Sequence, residues 1–387
     1  MKVLIVGAGI IGLTFAYNWL ERFPTDEVEI IDKEEVECFH ASGRNSGILH
    51  AGFYYNEDSL KGQLTALGNR QMTQFCLQND LPILKTGKLV VAQSEGEIEI
   101  LKELERRSKL NGAGAYIISQ KEAEKIEPLV RTYKYALWSP NTASVNPKMI
   151  CQKLRTLLEQ KKVKFRFKTA FKEMANRLSN YNLLVNCAGL YADQIAHQFG
   201  IGKKYQLLPF KGLYLKYQGE ERLKTQIYPV PNIKNPFLGV HFTLLADGTI
   251  KIGPTAIPAL WRENYSLWKR FNWKEMVEIT SLELKLFLKN SFGFRDLALY
   301  EFQYYLPGRL VASARRLVKR LEGKFTSYPP GIRAQLVDLE EKRLLMDFLV
   351  EYRPNQIHIL NTISPAFTAS WSFTDYIIET YLKKFGR

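Results

Sequence analysis

The stretch MKVLIVGAGIIGLTFAYNWL (Met1 to Leu20) leads through VEIIDKEE (Val28 to Glu35) into ASGRNSGILHAGFYY (Ala41 to Tyr55), and the fold is decided there. The apolar run Val3-Leu4-Ile5-Val6 suits a strand buried on both faces, and Gly7-Ala8-Gly9-Ile10-Ile11-Gly12 then opens an amphipathic helix. The three glycines act differently. Gly7 permits a tight turn, Gly9 lets backbone amides approach a pyrophosphate, and Gly12 lets helix and strand pack closely. The phosphates would face the helix N-terminus and its positive dipole end. Roughly twenty residues after Gly12, the second apolar strand (Val28, Ile30, Ile31) ends in Asp32, an acid placed to accept hydrogen bonds from an adenosine ribose. Strand, helix, second strand and acid together predict a dinucleotide-binding α/β domain and leave NAD and FAD both open.

At 387 residues and 46% hydrophobic content, the chain can bury a large core and is long enough for two domains. Its formal charge of +15 suits nucleic acid, an anionic membrane surface, acidic small substrates or merely a solvated basic surface. No recognised nucleic-acid module accompanies the charge, so nucleic acid is not expected as a partner. Cys38, Cys76, Cys151 and Cys187 are widely spaced, with no CxxC or metal-ligand pattern, which predicts reduced cysteines and no metal. Met1-Lys2 runs directly into the first strand and no apolar segment has bilayer-spanning length, so a cytoplasmic protein is expected, at most resting on a membrane.

The loop Ala41-Ser42-Gly43-Arg44-Asn45-Ser46-Gly47, continuing to His50-Ala51-Gly52, is rich in small residues and can wrap a flat cofactor. Helical spacing covers Leu60 to Leu81, Glu95 to Leu110 and Pro147 to Lys161, with a strand at Leu89 to Ala92. Leu183 to Gly189 reads as a strand ending on a small-residue turn. Period-two alternation at Gly212 to Tyr217, Gly239 to Thr243 and Thr249 to Gly253, with Asp247-Gly248 as a hairpin turn, predicts an antiparallel sheet with one face lining a cavity. Trp261 to Leu321 mixes Trp, Phe and Leu with Lys and Arg, a pattern that fits either an anionic membrane surface with a quinone acceptor or a helical cap. Paired strands at Phe348 to Glu351 and Ile357 to Leu360 precede the final helix.

The run GRNSGILHAGFYY followed by SLKGQL resembles the L-2-hydroxyglutarate dehydrogenase/oxidase family of the D-amino-acid-oxidase-like FAD proteins. PFKGLYLKY (Pro209 to Tyr217), YPVPNIKNPFLGVHFT with DGTIKIGPTA (Tyr228 to Ala256), PPGIRAQL and SPAFTAS extend the resemblance over nearly the whole chain. It implies an α/β fold in which a Rossmann-like FAD-binding domain of GR2 type (1–88, 143–205 and 325–387) carries an α+β substrate domain on a mainly antiparallel sheet (89–142 and 206–324). It carries cofactor contact onto Gly7, Gly9, Ile10, Ile11, Gly12, Asp32, Lys33, Ser42, Asn45, Ser46, Gly47, His50, Phe171, Ala188, Gly189, Arg333, Pro365, Ala366, Phe367 and Thr368. Two positions depart from the family pattern: Arg44, where the family more often has His, and Leu213, where Glu is frequent. The segment Phe171 to Tyr181 is also shorter than the β-meander that usually stands there.

Oxidising a small anionic 2-hydroxy acid requires a base for the hydroxyl proton, a hydride acceptor and cations for the carboxylates. His241 is the first choice of base, with His50 next, and Arg333 can grip a carboxylate through two parallel hydrogen bonds. Arg44, Lys211, Tyr214 and Lys251 are further candidates for substrate contact, with solvent exposure the competing expectation for the three on the sheet. An amine or amino-acid oxidase and a non-catalytic FAD-bound scaffold are the alternative readings.

Overall fold

The computed structural model describes residues 1–232, 238–266 and 269–386. Ile233 to Phe237, inside the quoted YPVPNIKNPF run, and Leu267 and Trp268, inside the basic helical stretch, lie outside the described residues. Strand β1 (Lys2–Val6) buries Val3 to Val6, and α1 (Ile10–Arg22) crosses over to β2 (Glu27–Ile31), which pairs parallel to it. The next elements are β3 (Ile48–Leu49), α2 (Leu60–Gln78), β4 (Ile83–Leu84), β5 (Lys88–Val91), α3 (Gly96–Leu110), β6 (Tyr116–Ser119), α4 (Gln120–Ile126), β7 (Tyr135–Ser139) and β8 (Ala143–Val145). Helix starts follow side-chain caps: Ser59 Oγ accepts from the Gly62 amide, and Ser119 and Glu122 form a capping box. Asn146 caps α5 (Pro147–Gln160), whose first residue is a proline with no amide hydrogen to satisfy.

Strand β9 (Lys164–Arg166) is followed by 3₁₀ turns over Phe171–Asn180, which occupy the place where the shortened meander was expected. Then come β10 (Leu183–Asn186), α6 (Ala192–Gln198), β11 (Tyr205–Gln218), β12 (Gln226–Pro229), β13 (His241–Leu244), β14 (Ile250–Gly253) and β15 (Ile257–Pro258). Helices α7 (Trp273–Leu288), α8 (Phe294–Phe302) and α9 (Pro307–Arg315) precede β16 (Lys324–Asp338), β17 (Arg343–Leu344), β18 (Leu349–Arg353), β19 (Gln356–Asn361) and α10 (Ser370–Phe385).

Three sheets result. A six-stranded sheet runs β18-β19-β10-β1-β2-β9, parallel except for β18. Its core packs α1, α5 and α10 through residues such as Phe15, Trp19, Leu154 and Phe373. A ten-stranded sheet runs β17-β16-β11-β14-β13-β12-β5-β7-β6, with β15 on β11; it is antiparallel except where β12 meets β5. A small sheet, β3-β8-β4, completes the set. Strand β16 pairs with β11 from Tyr205↔Asp338 to Gln218↔Lys324, so residues 324–338 run in the ten-stranded sheet and the chain rejoins the six-stranded sheet at β18.

One cysteine expectation is corrected. Cys38 and Cys151 are joined in a disulfide, with Cα atoms 6.4 Å apart across a sequence separation of 113, while Cys76 and Cys187 are free. The pairing was invisible in the spacing because it depends on α5 docking against the loop that follows β2. No helix among the described residues is long and apolar enough to cross a membrane.

Candidate active site

A cavity of about 1050 Å³ lies where the carboxyl ends of β1, β2 and β10 meet the ten-stranded sheet. Ligands of open parallel sheets bind at that edge, and the volume is at the upper end of the roughly 300–1,000 Å³ of small-molecule pockets, suiting a dinucleotide together with a substrate. Gly7 has φ +111°, and a Cβ there would lie 2.5 Å from the Cys187 carbonyl oxygen. The Ile10 amide donates to Ser42 Oγ at 3.0 Å, and the rest of the first turn of α1 has no side-chain cap among the described residues. Asp32 is oriented by two backbone amides: Oδ2 accepts from Ala8 at 2.8 Å and Oδ1 from Glu34 at 2.9 Å. Uncapped helix amides, a cradle closed to side chains and a fixed carboxylate one strand away fit a dinucleotide.

Gly7, Gly9, Ile10, Ile11, Asp32, Lys33, Ser42, Asn45, Ser46, His50, Phe171, Ala188, Gly189, Arg333 and Pro365 to Thr368 all line this cavity. Gly12 and Gly47 do not, and act from behind. A Cβ on Gly12 would lie 2.0 Å from the Gly7 carbonyl oxygen, and one on Gly47 would lie 2.4 Å from that of Val145. Beside this end sit two buried carboxylates, Glu34 and Glu263. Lys33 and Arg270 pair with both, His40 Nε2 lies 2.9 Å from Glu34, and Tyr191 donates to Glu263 at 2.7 Å. Burial pushes the Glu34 carboxyl up, but hydrogen bonds from His40, Arg270 and Lys33 outweigh it and hold the group well below the usual carboxylate range. Glu34, His40 and Glu263 offer three metal-ligand atoms, yet two cations already neutralise them. The cluster is an ion-pair network tying the end of β2 to Glu263 and Arg270.

At the other end the two candidate histidines come together. His50, just after β3, donates its backbone amide to Thr368 Oγ1 at 3.1 Å, and its ring Nδ1 is buried without a hydrogen-bond partner among the described residues. His241, at the start of β13, stacks on Tyr228 with ring centroids 3.7 Å apart, and its Nδ1 lies 2.7 Å from the Gly239 carbonyl oxygen. A carbonyl can only accept, so Nδ1 carries the hydrogen and Nε2 keeps its lone pair. Burial, reinforced by the positive charges of Lys88, Arg333 and Lys251 and opposed by the Gly239 hydrogen bond, lowers the His241 pKa to about 3. Burial, then Lys88 and His241, also put His50 well below the usual histidine range. Both imidazoles are neutral at physiological pH.

Arg333, on β16, lines the cavity with Gly331 and Ile332, and its Nη1 donates to the Thr255 carbonyl at 2.9 Å. Tyr214, on β11, also lines it. Arg44 lines it as well, its guanidinium 4.3 Å from the Tyr265 ring centroid and its Nε donating to the Phe39 carbonyl. Lys211 and Lys251 do not reach the cavity. Lys211 is half-buried on β11, while Lys251 is buried, its ammonium 4.2 Å from the Tyr214 ring centroid, and it lines a separate pocket with Tyr328. Exposure, the competing expectation for the sheet residues, is overturned for Tyr214 (8% exposed) and Lys251 (2%).

Two lysines escaped the sequence reading. Lys88, in β5, is wholly buried, its ammonium 4.0 Å from the Tyr228 centroid with no hydrogen-bond partner among the described residues. Burial lowers its pKa to about 7. Lys61, in α2, lines the cavity and is 5% exposed. The only local signal for Lys88 was a lysine opening the otherwise apolar run Leu89-Val90-Val91-Ala92; Lys61 sat in a helix where lysine is commonplace.

The family of FAD-dependent oxidoreductases known as DAO matches residues 2–374. An L-2-hydroxyglutarate dehydrogenase of Indibacter alkaliphilus is 32% identical over 404 residues, covering 99% of both chains. The mitochondrial L-2-hydroxyglutarate dehydrogenase of Mus musculus is 31% identical, covering 98% of this chain and 88% of its own. Among solved structures, a dithionite-reduced L-alpha-glycerophosphate oxidase from Mycoplasma pneumoniae with FAD bound superposes with a TM-score of 0.72 at 20% identity, over 98% of this chain and 94% of that one. Glycine oxidase from Geobacillus kaustophilus gives 0.69 at 16% identity, over 99% and 95%. These structural likenesses show a common fold, and with a dinucleotide cradle in place and the family pattern running from β1 into α10, this chain belongs to the DAO family of FAD-dependent oxidoreductases.

Proposed function

We propose that this chain oxidises L-2-hydroxyglutarate, or a close 2-hydroxy acid, to the corresponding 2-oxo acid. The observation that carries the reading is His241, a neutral imidazole whose hydrogen is committed to Gly239 and whose Nε2 is left as a base, in a cavity shared with Arg333. Relatives alike over the full length are named for this substrate, which supports it. Gly7 to Gly12 and the first amides of α1 would hold the pyrophosphate, Asp32 the ribose, and Ala188, Gly189 and Pro365 to Thr368 the remainder of the cofactor. FAD, when bound, supplies the acceptor for the hydride that leaves C2.

The chain's own residues do the rest. Arg333 holds a carboxylate beside the aromatic wall of Tyr214 and Tyr228, and His241 Nε2 takes the hydroxyl proton as the C2 carbonyl forms. The substrate's negative charge opposes the burial and the cations that depress His241, so its basicity rises as substrate arrives. In this reading, segments 1–88, 143–205 and 325–387 bind the cofactor and segments 89–142 and 206–324 roof the substrate, except that β16, paired along β11, belongs to the roof and brings Arg333 with it.

The electron acceptor belongs to the same proposal, as oxygen or a membrane quinone reached by a cytoplasmic protein at the membrane surface. Large apolar side chains exposed on α7 and α8, including Leu288 (70%) and Phe302 (67%), support the membrane arm. The test of the reaction is anaerobic titration of the purified, FAD-loaded protein with L- and D-2-hydroxyglutarate, glycine, sarcosine and D-amino acids. Bleaching of the flavin by the L hydroxy acid alone is expected. Indifference to both hydroxy acids, or bleaching by an amine instead, would overturn the proposal.

A further inference from the structure

A five-carbon dicarboxylate carries a charge at each end, and a buried carboxylate without a cation is strongly disfavoured. The site therefore needs a second cation besides Arg333. Lys33 is paired with Glu34 and Glu263. Arg107 is paired with Glu103 and the Tyr54 carbonyl, Arg44 is stacked on Tyr265 and bonded to Phe39, and Lys172 is exposed. Lys61 differs from all of these. It lines the cavity and is almost wholly buried, and its ammonium has neither a hydrogen bond nor an ion pair among the described residues. Its neighbours are ring faces, with the centroids of Tyr55 and Phe348 both 5.8 Å away.

The nearby acid, Asp347, is already engaged. Its Oδ2 accepts from the Leu60 amide at 2.7 Å and its Oδ1 from the Lys61 amide at 3.1 Å, so it serves the N-terminus of α2. We infer that Lys61 is the second anchor of the site, binding the distal carboxylate of a dicarboxylic hydroxy acid and so selecting it over monocarboxylic analogues. This rests on the reading of the site as one for 2-hydroxy acids. It also agrees with burial, only partly opposed by the charge of Asp347, lowering the Lys61 pKa to about 7, since an incoming carboxylate would raise it again.

The experiment compares wild type with Lys61→Met and Lys61→Gln, each loaded with FAD, on L-2-hydroxyglutarate and on L-2-hydroxybutyrate, which lacks the distal carboxylate. The ratio of the two kcat/KM values should fall about 100-fold in the variants, the size expected when one partner of a buried charge pair is removed. As a readout independent of turnover, glutarate and butyrate are titrated into the oxidised enzyme while the flavin spectrum is followed; the variants should lose the preference for glutarate. An unchanged ratio, or equal loss on both substrates, would overturn the role of Lys61. If wild type is reduced by neither hydroxy acid, the underlying reaction is what fails.

Discussion

The imidazole of His241 is set by three neighbours: the Gly239 carbonyl fixes its tautomer, the Tyr228 ring fixes its plane, and Lys88 places a cation behind that ring. Tyr228 stands on β12 between β13 and β5, so imidazole and ammonium approach its ring from neighbouring strands. His241→Ala removes the base while leaving the dinucleotide cradle intact. Flavin reduction by substrate in stopped flow should slow by about 10²–10⁴-fold, the usual contribution of a positioned general base, with FAD content unchanged. Reduction at the wild-type rate would take His241 out of the mechanism and leave His50, the other neutral imidazole in the cavity, as the base.

Between β1 and α1 the polypeptide has no room to spare. A Cβ on Gly12 would lie 2.0 Å from the Gly7 carbonyl oxygen and 3.3 Å from the Ile5 side chain. Gly12→Val must therefore push α1 off β1 and displace the amides that face the phosphates, although Gly12 itself does not line the cavity. Purified Gly12→Val should retain less than about a tenth of the wild-type FAD per chain and melt at lower temperature, as overpacked cores lose roughly 1–3 kcal/mol. FAD released by denaturation and measured by absorbance checks this; stoichiometric FAD would show that the turn tolerates a side chain. On the opposite wall, the long β11–β16 pair shifts register between Gly212 and Tyr214. Tyr214 and Arg333, from these two strands, both line the cavity.

Over the whole molecule, the parallel and antiparallel sheets divide the labour, and the cavity exists only where they meet. The helices α7 to α9 extend from the ten-stranded sheet and leave Trp273 (63%), Leu299 (60%) and Leu306 (63%) uncovered in a chain of net charge +15. If that surface meets a bilayer, the protein should co-sediment with vesicles containing phosphatidylglycerol at low salt. It should be released by high salt, and Leu288→Glu with Phe302→Glu should bind more weakly. Protein that stays in the supernatant with anionic vesicles would exclude the membrane arm.

The nucleotide half was legible in the sequence because its signals are local. A buried strand, three glycines and an acid at the end of the next strand are contiguous demands of one turn and one sheet edge, and β1, α1, β2 and Asp32 follow from them. The resemblance carried by GRNSGILHAGFYY and the later stretches also foretold the FAD family. The substrate end was readable only in parts. His241, His50 and Arg333 were chosen by residue type, but their meeting depends on β3, β13 and β16 converging from distant parts of the chain. Tertiary structure alone turned Lys251 away into another pocket, joined Cys38 to Cys151, and left Lys61 and Lys88 as buried ammonium groups with no ion pair among the described residues. A lysine's position in sequence says nothing of its solvation; burial does, and only packing between remote elements creates it.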